Sequence, residues 1–120
     1  MKLKTSVIVK LQVEGEHYWA AAKDVFPEVA FLSSPHRHIF HIQAEKEVFH
    51  DDRDVEFIIF KRDIQDYFKQ MYYNPQKRIH SFQGMSCEMI AKEVLEQFDC
   101  LSVEVWEDME NGARVEKDYL

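Results

Sequence analysis

Three of the chain's six histidines lie close together in residues 33–43 (SSPHRHIFHIQ). In an extended strand, alternate side chains point to the same face, about 6.5 to 7 Å apart. His36 and His38 therefore converge, whereas His41 points to the opposite face. Imidazole nitrogens bind zinc, and a zinc site takes at least three protein ligands. The stretch predicts two ligands of a metal site, with the alternative that both are ordinary polar residues at a sheet edge.

A third ligand for such a site must come from another part of the chain. Histidine nitrogens and carboxylate oxygens are both suitable zinc donors. Spacing along the chain leaves four candidates open, namely His17, His50, His80 and Glu107.

Length and composition limit the class of protein. A chain of 120 residues with 46% hydrophobic residues is expected to form one folded domain, residues 1–120. Its net charge of −7 argues against nucleic acid or an anionic membrane as the main partner. Cys87 and Cys100 form no C-x-x-C pair, which favours a reducing, cytoplasmic location. No segment approaches the roughly 18 to 20 apolar residues that a membrane span needs.

Hydrophobic periodicity predicts the elements that must position these side chains. Residues 4–13 alternate as a half-buried strand, residues 36–49 form a second strand, and residues 55–60 (VEFIIF) form a third, shorter one. Apolar residues at helical spacing predict a helix that ends before Asn74 and Pro75. Ser86 is the expected N-cap of a second helix.

The end of the chain predicts two more strands. The segment LSVEVWE is followed by Asn111-Gly112, a type I′ hairpin signal, and by a final strand. Strands at both ends around two central helices indicate an α+β domain, an antiparallel sheet with two helices on one face. The expected order is β-β-α-α-β-β, with the short third strand before the helices.

Several segments in this order resemble the tunnelling-fold (T-fold) family of 6-pyruvoyl- and 6-carboxy-tetrahydropterin synthases. YWAAAKDV is similar to the family motif F-x-A-A-H, and LSSPHRHIF to C-x-x-x-H-G-H. DDRDVEFIIFKR is similar to D-x-x-x-G-M-V-x-D-F. GMSCEMIAKEVLEQF resembles the P-T-x-E-N helix, and SVEVWED resembles the strand that ends V-x-E-T. The resemblance implies a single T-fold domain that forms a homo-oligomer with sites at subunit interfaces.

Position by position, the resemblance places His36 and His38 at two of the family's three zinc ligands. The third ligand position falls on Lys23, and the catalytic cysteine falls on Leu32. A cation in place of a ligand disfavours metal binding, and leucine cannot accept a proton. Glu107 matches the glutamate that holds the N–H edge of a pterin or purine ring in the family.

These correspondences predict a non-catalytic T-fold protein that binds a purine- or pterin-like molecule, including a phosphorylated nucleotide, at a subunit interface. The alternatives are a divergent zinc-dependent lyase of the tetrahydropterin-synthase type, in which zinc is the cofactor, and a purely structural oligomeric module. The lyase would polarise substrate oxygens with zinc and use a base to move protons. The predicted ligand-binding residues are Glu107, Lys23, Arg37, His36, His38, Ser86 and Glu88.

Overall fold

The structure, a computed structural model, describes residues 1–118 and has an α+β architecture. One sheet contains all six strands of the described residues. The strands are β1 (Thr5–His17), β2 (His36–Val48), β3 (Tyr73–Asn74), β4 (Ile79–Gln83), β5 (Ser102–Glu107) and β6 (Asn111–Glu116).

Two long helices lie between the strands in sequence, and shorter helical segments precede β2. The helical segments are α1 (Ala22–Val25), a 3₁₀ segment (Pro27–Ser33), α2 (Phe57–Tyr72) and α3 (Cys87–Phe98). No helix in the described part of the chain is long and apolar enough to cross a membrane. The predicted N-cap of α3 is confirmed, because the Ser86 hydroxyl accepts a hydrogen bond from the Met89 N–H at 3.1 Å.

The sheet has the order β3-β4-β1-β2-β5-β6. Strands β1, β2, β5 and β6 pair antiparallel, as predicted, but β4 pairs with the end of β1 in parallel. The sheet is therefore mixed, and the prediction of a purely antiparallel sheet is wrong for this strand. The register sets His17 opposite His36 and Phe40 opposite Glu107, so residues distant in sequence meet at one end of the sheet.

A single hydrophobic cluster joins the sheet to both long helices. Alternate residues of β1, including Val9, Leu11 and Val13, are buried as the sequence pattern predicted. Burial of such side chains contributes about 1.5 to 3 kcal/mol each relative to exposure. The helices supply Phe60, Ile64, Phe68, Ile90, Ala91, Val94 and Leu95. This packing fixes the sheet against α2 and α3 and so fixes the strand ends.

The prediction of a third strand at residues 55–60 is wrong, because α2 begins at Phe57 within this segment. The Glu56 carboxylate accepts hydrogen bonds from the N–H groups of Ile58 and Ile59, which caps the helix at its first turn. Phe60 then begins the buried stripe of the helix, while Ile58 and Ile59 stay exposed. The β-branched run favours a strand locally, but the cap and the helical spacing of the later apolar residues decide the structure.

The last hairpin is confirmed, but its turn lies three residues before the predicted Asn111-Gly112. Asp108 and Met109 adopt left-handed conformations with φ of 53° and 58°. The Glu110 N–H closes the turn by donating to the Glu107 carbonyl at 2.9 Å. Gly112 lies within β6 opposite Trp106, and a Cβ there would lie 2.6 Å from the Trp106 ring and from the Val105 carbonyl. Glycine is needed at this position for close approach, not for the turn.

We predict that Gly112→Ala destabilises the domain by about 1 to 3 kcal/mol, the usual effect of overpacking. The Val105 carbonyl belongs to the backbone of a central strand and cannot move aside. The matched control is Gly84→Ala, where the nearest atom would lie 3.9 Å away. Urea unfolding of both variants measures the difference, and equal stabilities would contradict the packing role of Gly112.

Candidate metal centre

Three histidines, His17, His36 and His38, meet at one end of the sheet. One nitrogen of each ring lies within 4.8 Å of the others. The ring centroids are separated by 4.6 Å between His17 and His36, and by 5.1 Å between His36 and His38. The rings of His17 and His38, 5.5 Å apart, are nearly perpendicular, at 83°. The three rings meet edge to face and are not stacked, an arrangement that is compatible with ligands sharing one ion.

The strands bring these residues together by register and alternation. His17 is the last residue of β1, and His36 is the first residue of β2 directly opposite it. His38 follows two residues later on the same face. Gly15 allows the rings below to approach, because a Cβ there would lie 2.6 Å from the Phe82 ring and 3.0 Å from the Phe40 ring. Phe40 in turn contacts the rings of His17 and His38 edge to face and forms the apolar floor of the site.

Each histidine uses its Nδ1 atom in a hydrogen bond to the protein. The distances are 2.8 Å from His17 to the Met85 carbonyl, 2.9 Å from His36 to the Ser34 carbonyl and 2.8 Å from His38 to the Asp108 carboxylate. Carbonyl and carboxylate oxygens only accept, so each Nδ1 carries the proton. In a neutral imidazole the Nε2 atom then has a free lone pair, which is the form that binds a metal.

The Nε2 atoms of His17 and His38 are buried beside the Glu107 carboxylate. The carboxylate lies 2.8 Å from the His17 Nε2, an ion-pair distance when His17 is protonated, and 3.7 Å from the His38 Nε2, beyond hydrogen-bond distance. A buried polar nitrogen without a partner costs free energy, and an unprotonated His17 would set its Nε2 lone pair against the carboxylate. A cation bound among the rings would satisfy both nitrogens and the carboxylate.

Glu107 sets the electrostatics of the centre. Burial lowers the pKa of His17, but the Glu107 carboxylate and the Met85 carbonyl outweigh it, so the pKa is raised. In return, the contact with His17 holds the pKa of Glu107 below its ordinary value, against the effect of burial and with help from His38. The carboxylate is therefore anionic at neutral pH, and its negative charge favours a cation among the three rings.

Cys87 lies on the other side of Glu107, at the first turn of α3. Burial and the Glu107 carboxylate raise the pKa of the Cys87 thiol to about 12. At neutral pH this cysteine is a protonated thiol. It therefore cannot act as the thiolate base that the family resemblance places at Leu32.

The donor set fits zinc. Three imidazole nitrogens leave a fourth position open, which is typical of catalytic zinc sites, whereas structural sites have four protein ligands. A hydrogen bond from the other ring nitrogen to a carbonyl or carboxylate is the usual support of a zinc-bound histidine. Glu107 is outside the group of mutually close donors and lies beside two of the three rings.

The structure brings together three of the predicted site residues, His36, His38 and Glu107, and adds His17. Lys23, the predicted third position, is exposed on α1 and makes no hydrogen bond or ion pair with the histidines among the described residues. The third nitrogen comes from six residues earlier in the chain. Since Lys23 does not lie among the three histidines, its positive charge does not oppose a metal ion there.

The other predicted ligand-binding residues lie around this centre or away from it. Arg37 points to the opposite face of β2 and pairs with Glu14 at 3.1 Å. Ser86 is the N-cap of α3, and Glu88 is exposed in its first turn. Arg37 therefore does not join the histidines in the Lys/Arg/His cluster that the sequence predicted.

Two other candidates for the third ligand are engaged elsewhere. His50 lies 3.3 Å from the Asp54 carboxylate in the loop after β2. His80 makes a 3.1 Å contact with the Glu14 carbonyl and packs against Tyr73. Neither residue belongs to the histidine group.

Sequence reasoning considered His17 but did not select it, and it missed Asp108. The signal for His17 is the alternation of β1, because the buried face of Val9, Leu11 and Val13 continues through Gly15 to His17. Nothing in the local sequence indicates Asp108, whose role depends on the register between β2 and the β5–β6 turn.

Comparison with protein-family models finds no match, and comparison with curated proteins finds none either. The description of the metal centre therefore rests on the geometry of the described residues alone.

The pair of His17 and Glu107 predicts how the stability of the metal-free protein depends on pH. Because its pKa is raised, His17 stabilises the folded protein fully at pH values below its ordinary pKa of 6.5, and this stabilisation is lost as the pH rises through its pKa in the folded state. Because its pKa is lowered, Glu107 stabilises the folded protein at pH values above its ordinary pKa of 4.5, and this stabilisation is lost as the pH falls through its pKa in the folded state. The pair should therefore contribute most between these two values.

We expect Glu107→Gln to destabilise the metal-free protein more at about pH 5.5 than at about pH 8.5. The control is Glu96→Gln, which removes an exposed carboxylate on α3 that lies 3.9 Å from Lys92. Thermal unfolding in the presence of a chelator gives both differences. A Glu107→Gln effect that does not change between the two pH values would contradict the assigned pair.

Proposed function

We propose that the chain is a zinc-dependent domain of the T-fold type that acts on a purine- or pterin-like small molecule as a divergent lyase. When α1, the 3₁₀ segment, β3 and β4 are left aside, the remaining elements follow the expected order β-β-α-α-β-β, which supports this assignment. The four long strands pair antiparallel in the order β1-β2-β5-β6, and β3 and β4 are additions at one edge. Two of the three clustered histidines, His36 and His38, stand at positions that the resemblance assigns to zinc ligands, which supports the proposal.

One observation carries the proposal. The three Nδ1 atoms all donate to oxygen acceptors, which leaves the Nε2 atoms for a metal, and one nitrogen of each ring lies within 4.8 Å of the others. The Nε2 atoms of His17 and His38 are buried beside the Glu107 carboxylate. The prediction of a non-catalytic protein depends on Lys23 at the third ligand position and on Leu32 at the position of the base. His17 supplies the third nitrogen and so removes the first of these two grounds.

The residues of the site have distinct roles in this proposal. His17, His36 and His38 would hold zinc, which as a Lewis acid polarises substrate oxygens. Glu107 offers two carboxylate oxygens that can accept the adjacent N–H groups of a pterin or purine edge. Phe40 forms the apolar floor, which limits water around the charged groups and strengthens their interactions.

A second candidate function is binding of the same class of ligand without turnover. It is favoured by Leu32, which cannot accept a proton, and by Cys87, whose thiol pKa of about 12 keeps it protonated. Both functions use the carboxylate of Glu107. The lyase requires the metal centre and a base as well, whereas binding alone requires neither.

The resemblance also implies a homo-oligomer, which we include in the proposal. Among the described residues, residues 5–14 of β1 pair only with β2, and β6 pairs only with β5, so both of these strands have an open edge. Open edges are a common surface for pairing between subunits. Equilibrium sedimentation tests this part, and a monomer at high concentration would contradict it.

We predict that the purified protein binds one zinc ion per chain and that His17→Ala weakens this binding strongly, because two imidazoles do not make a stable site. His41→Ala is the matched control, since His41 lies on β2 but on the opposite face of the sheet. Titration against a chromophoric chelator measures both affinities. Equal zinc affinity in the two variants would contradict the metal centre.

We further expect the zinc-loaded protein to bind a ligand from a panel of pterins and guanine nucleotides, and Glu107→Gln to weaken this binding by about 1.5 to 3 kcal/mol, the contribution of hydrogen bonds to a charged group. Isothermal titration measures the loss at constant zinc occupancy. Product analysis of the same mixtures distinguishes a lyase from a binding protein. If no member of the panel binds, the proposed ligand class is wrong.

A further inference from the structure

Asp108 connects the β5–β6 turn to the metal centre through three hydrogen bonds. Its backbone N–H donates to the Ile39 carbonyl at 2.9 Å, and its Oδ1 accepts from the Ile39 N–H at 2.9 Å. Its Oδ2 lies 2.8 Å from the His38 Nδ1. Asp108 follows Glu107, the last residue of β5, so its side chain continues the pairing of β2 where the regular ladder ends.

The hairpin turn itself places Asp108 beside the metal centre. Both Asp108 and Met109 adopt the left-handed conformation, which the two central residues of a type I′ hairpin turn require. Aspartate tolerates this conformation better than most residues. In this turn the Asp108 carboxylate reaches both the Ile39 N–H and the His38 ring.

The three histidines differ in what fixes their tautomers. His17 and His36 donate from Nδ1 to the backbone carbonyls of Met85 and Ser34, so the backbone holds their Nδ1 protons. Only His38 depends on a side chain for its Nδ1 partner. Substitution at one position can therefore change the tautomer of one ligand and leave the other two unchanged.

We propose that Asp108 is a positioning residue that holds the Nδ1 proton of His38 and so keeps the His38 Nε2 lone pair directed to the metal. The inference rests on the proposed metal centre for its functional meaning. Its structural part, the tautomer of His38, holds in the metal-free protein as well. A carboxylate–histidine–metal arrangement of this type raises the basicity of the ligand and fixes the orientation of its ring.

The substitution Asp108→Asn should reverse this tautomer. The Ile39 N–H needs an acceptor, so the asparagine Oδ1 remains on it and the Nδ2 group faces His38. An amide N–H only donates, so the His38 Nδ1 must accept and the proton moves to Nε2. A protonated Nε2 has no lone pair for a metal. The fold keeps its hydrogen bonds, but one of the three ligands is blocked.

Asp108→Ala has a different expected effect. It removes both side-chain bonds, but it places no donor against the His38 Nδ1. Water can accept from this nitrogen because the Asp108 side chain is 46% exposed. His38 can then still present Nε2, so alanine should weaken zinc binding less than asparagine does. If Asp108 had only a structural role, Asp108→Ala would weaken zinc binding more than Asp108→Asn, because alanine removes more of the side chain.

The experiment compares wild type, Asp108→Asn, Asp108→Ala and the control Glu110→Gln. The control removes a carboxylate from an exposed residue of the same turn, so it matches the change in net charge. Long-range ¹H–¹⁵N correlation spectra of the metal-free proteins report the tautomer of each histidine ring. Chelator competition reports zinc affinity, and circular dichroism confirms that each variant is folded.

We expect His38 to carry its proton on Nδ1 in wild type and in the control, and on Nε2 in Asp108→Asn. Zinc affinity should fall at least about 10-fold in Asp108→Asn, within the range for loss of such a partner. It should fall less in Asp108→Ala. The inference is overturned if His38 keeps its Nδ1 proton in Asp108→Asn, or if alanine weakens zinc binding as much as asparagine does.

These outcomes separate the inference from the proposed function. If the wild type binds no zinc, the metal centre is wrong, while the His38 tautomer in Asp108→Asn still decides the role of Asp108. If the wild type binds zinc and the tautomer does not change, only the role of Asp108 is wrong.

Discussion

The candidate site depends on one constraint, the hydrogen bond that each of its three histidines donates from Nδ1 to an oxygen acceptor. His17, His36 and His38 come from two strands, and their acceptors come from three further positions in the loop before α3, the loop before β2 and the β5–β6 turn. These acceptors, at residues 34, 85 and 108, are far apart in the sequence. The three rings therefore meet only when the whole sheet is in register, and the hydrophobic cluster with α2 and α3 stabilises this register.

Glu107 links this constraint to function. Its carboxylate contacts His17 at 2.8 Å, and its lowered pKa keeps it anionic beside the three rings. In the metal-free protein the negative charge is balanced by a histidine that gains a proton. When a cation binds to the rings, it takes over this role, and the carboxylate becomes available to a ligand. One residue can thus stabilise the empty site and bind the ligand of the loaded one.

The sequence predicted much of the fold because its signals were local. The alternation of β1, the second strand and the N-cap Ser86 are confirmed, since each depends on spacing or on a single cap. The final hairpin is confirmed as well, although its turn is Asp108-Met109 and not the predicted Asn111-Gly112. The β-branched run predicts a strand over residues 55–60, but the cap at Glu56 begins α2 at Phe57. The parallel pairing of β4 with β1 depends on long-range packing, which no local pattern shows.

Only the part of the site that depends on local spacing could be predicted. His36 and His38 follow from strand periodicity, but the third ligand was assigned by motif similarity to Lys23, when the alternation of β1 leads to His17. The central claim is that three imidazoles bind one zinc ion. X-ray absorption spectroscopy of the zinc-loaded protein tests it most directly. We predict three imidazole nitrogens at about 2.0 to 2.1 Å and no sulfur. Fewer than three imidazoles, or a sulfur ligand at about 2.3 Å, would contradict it.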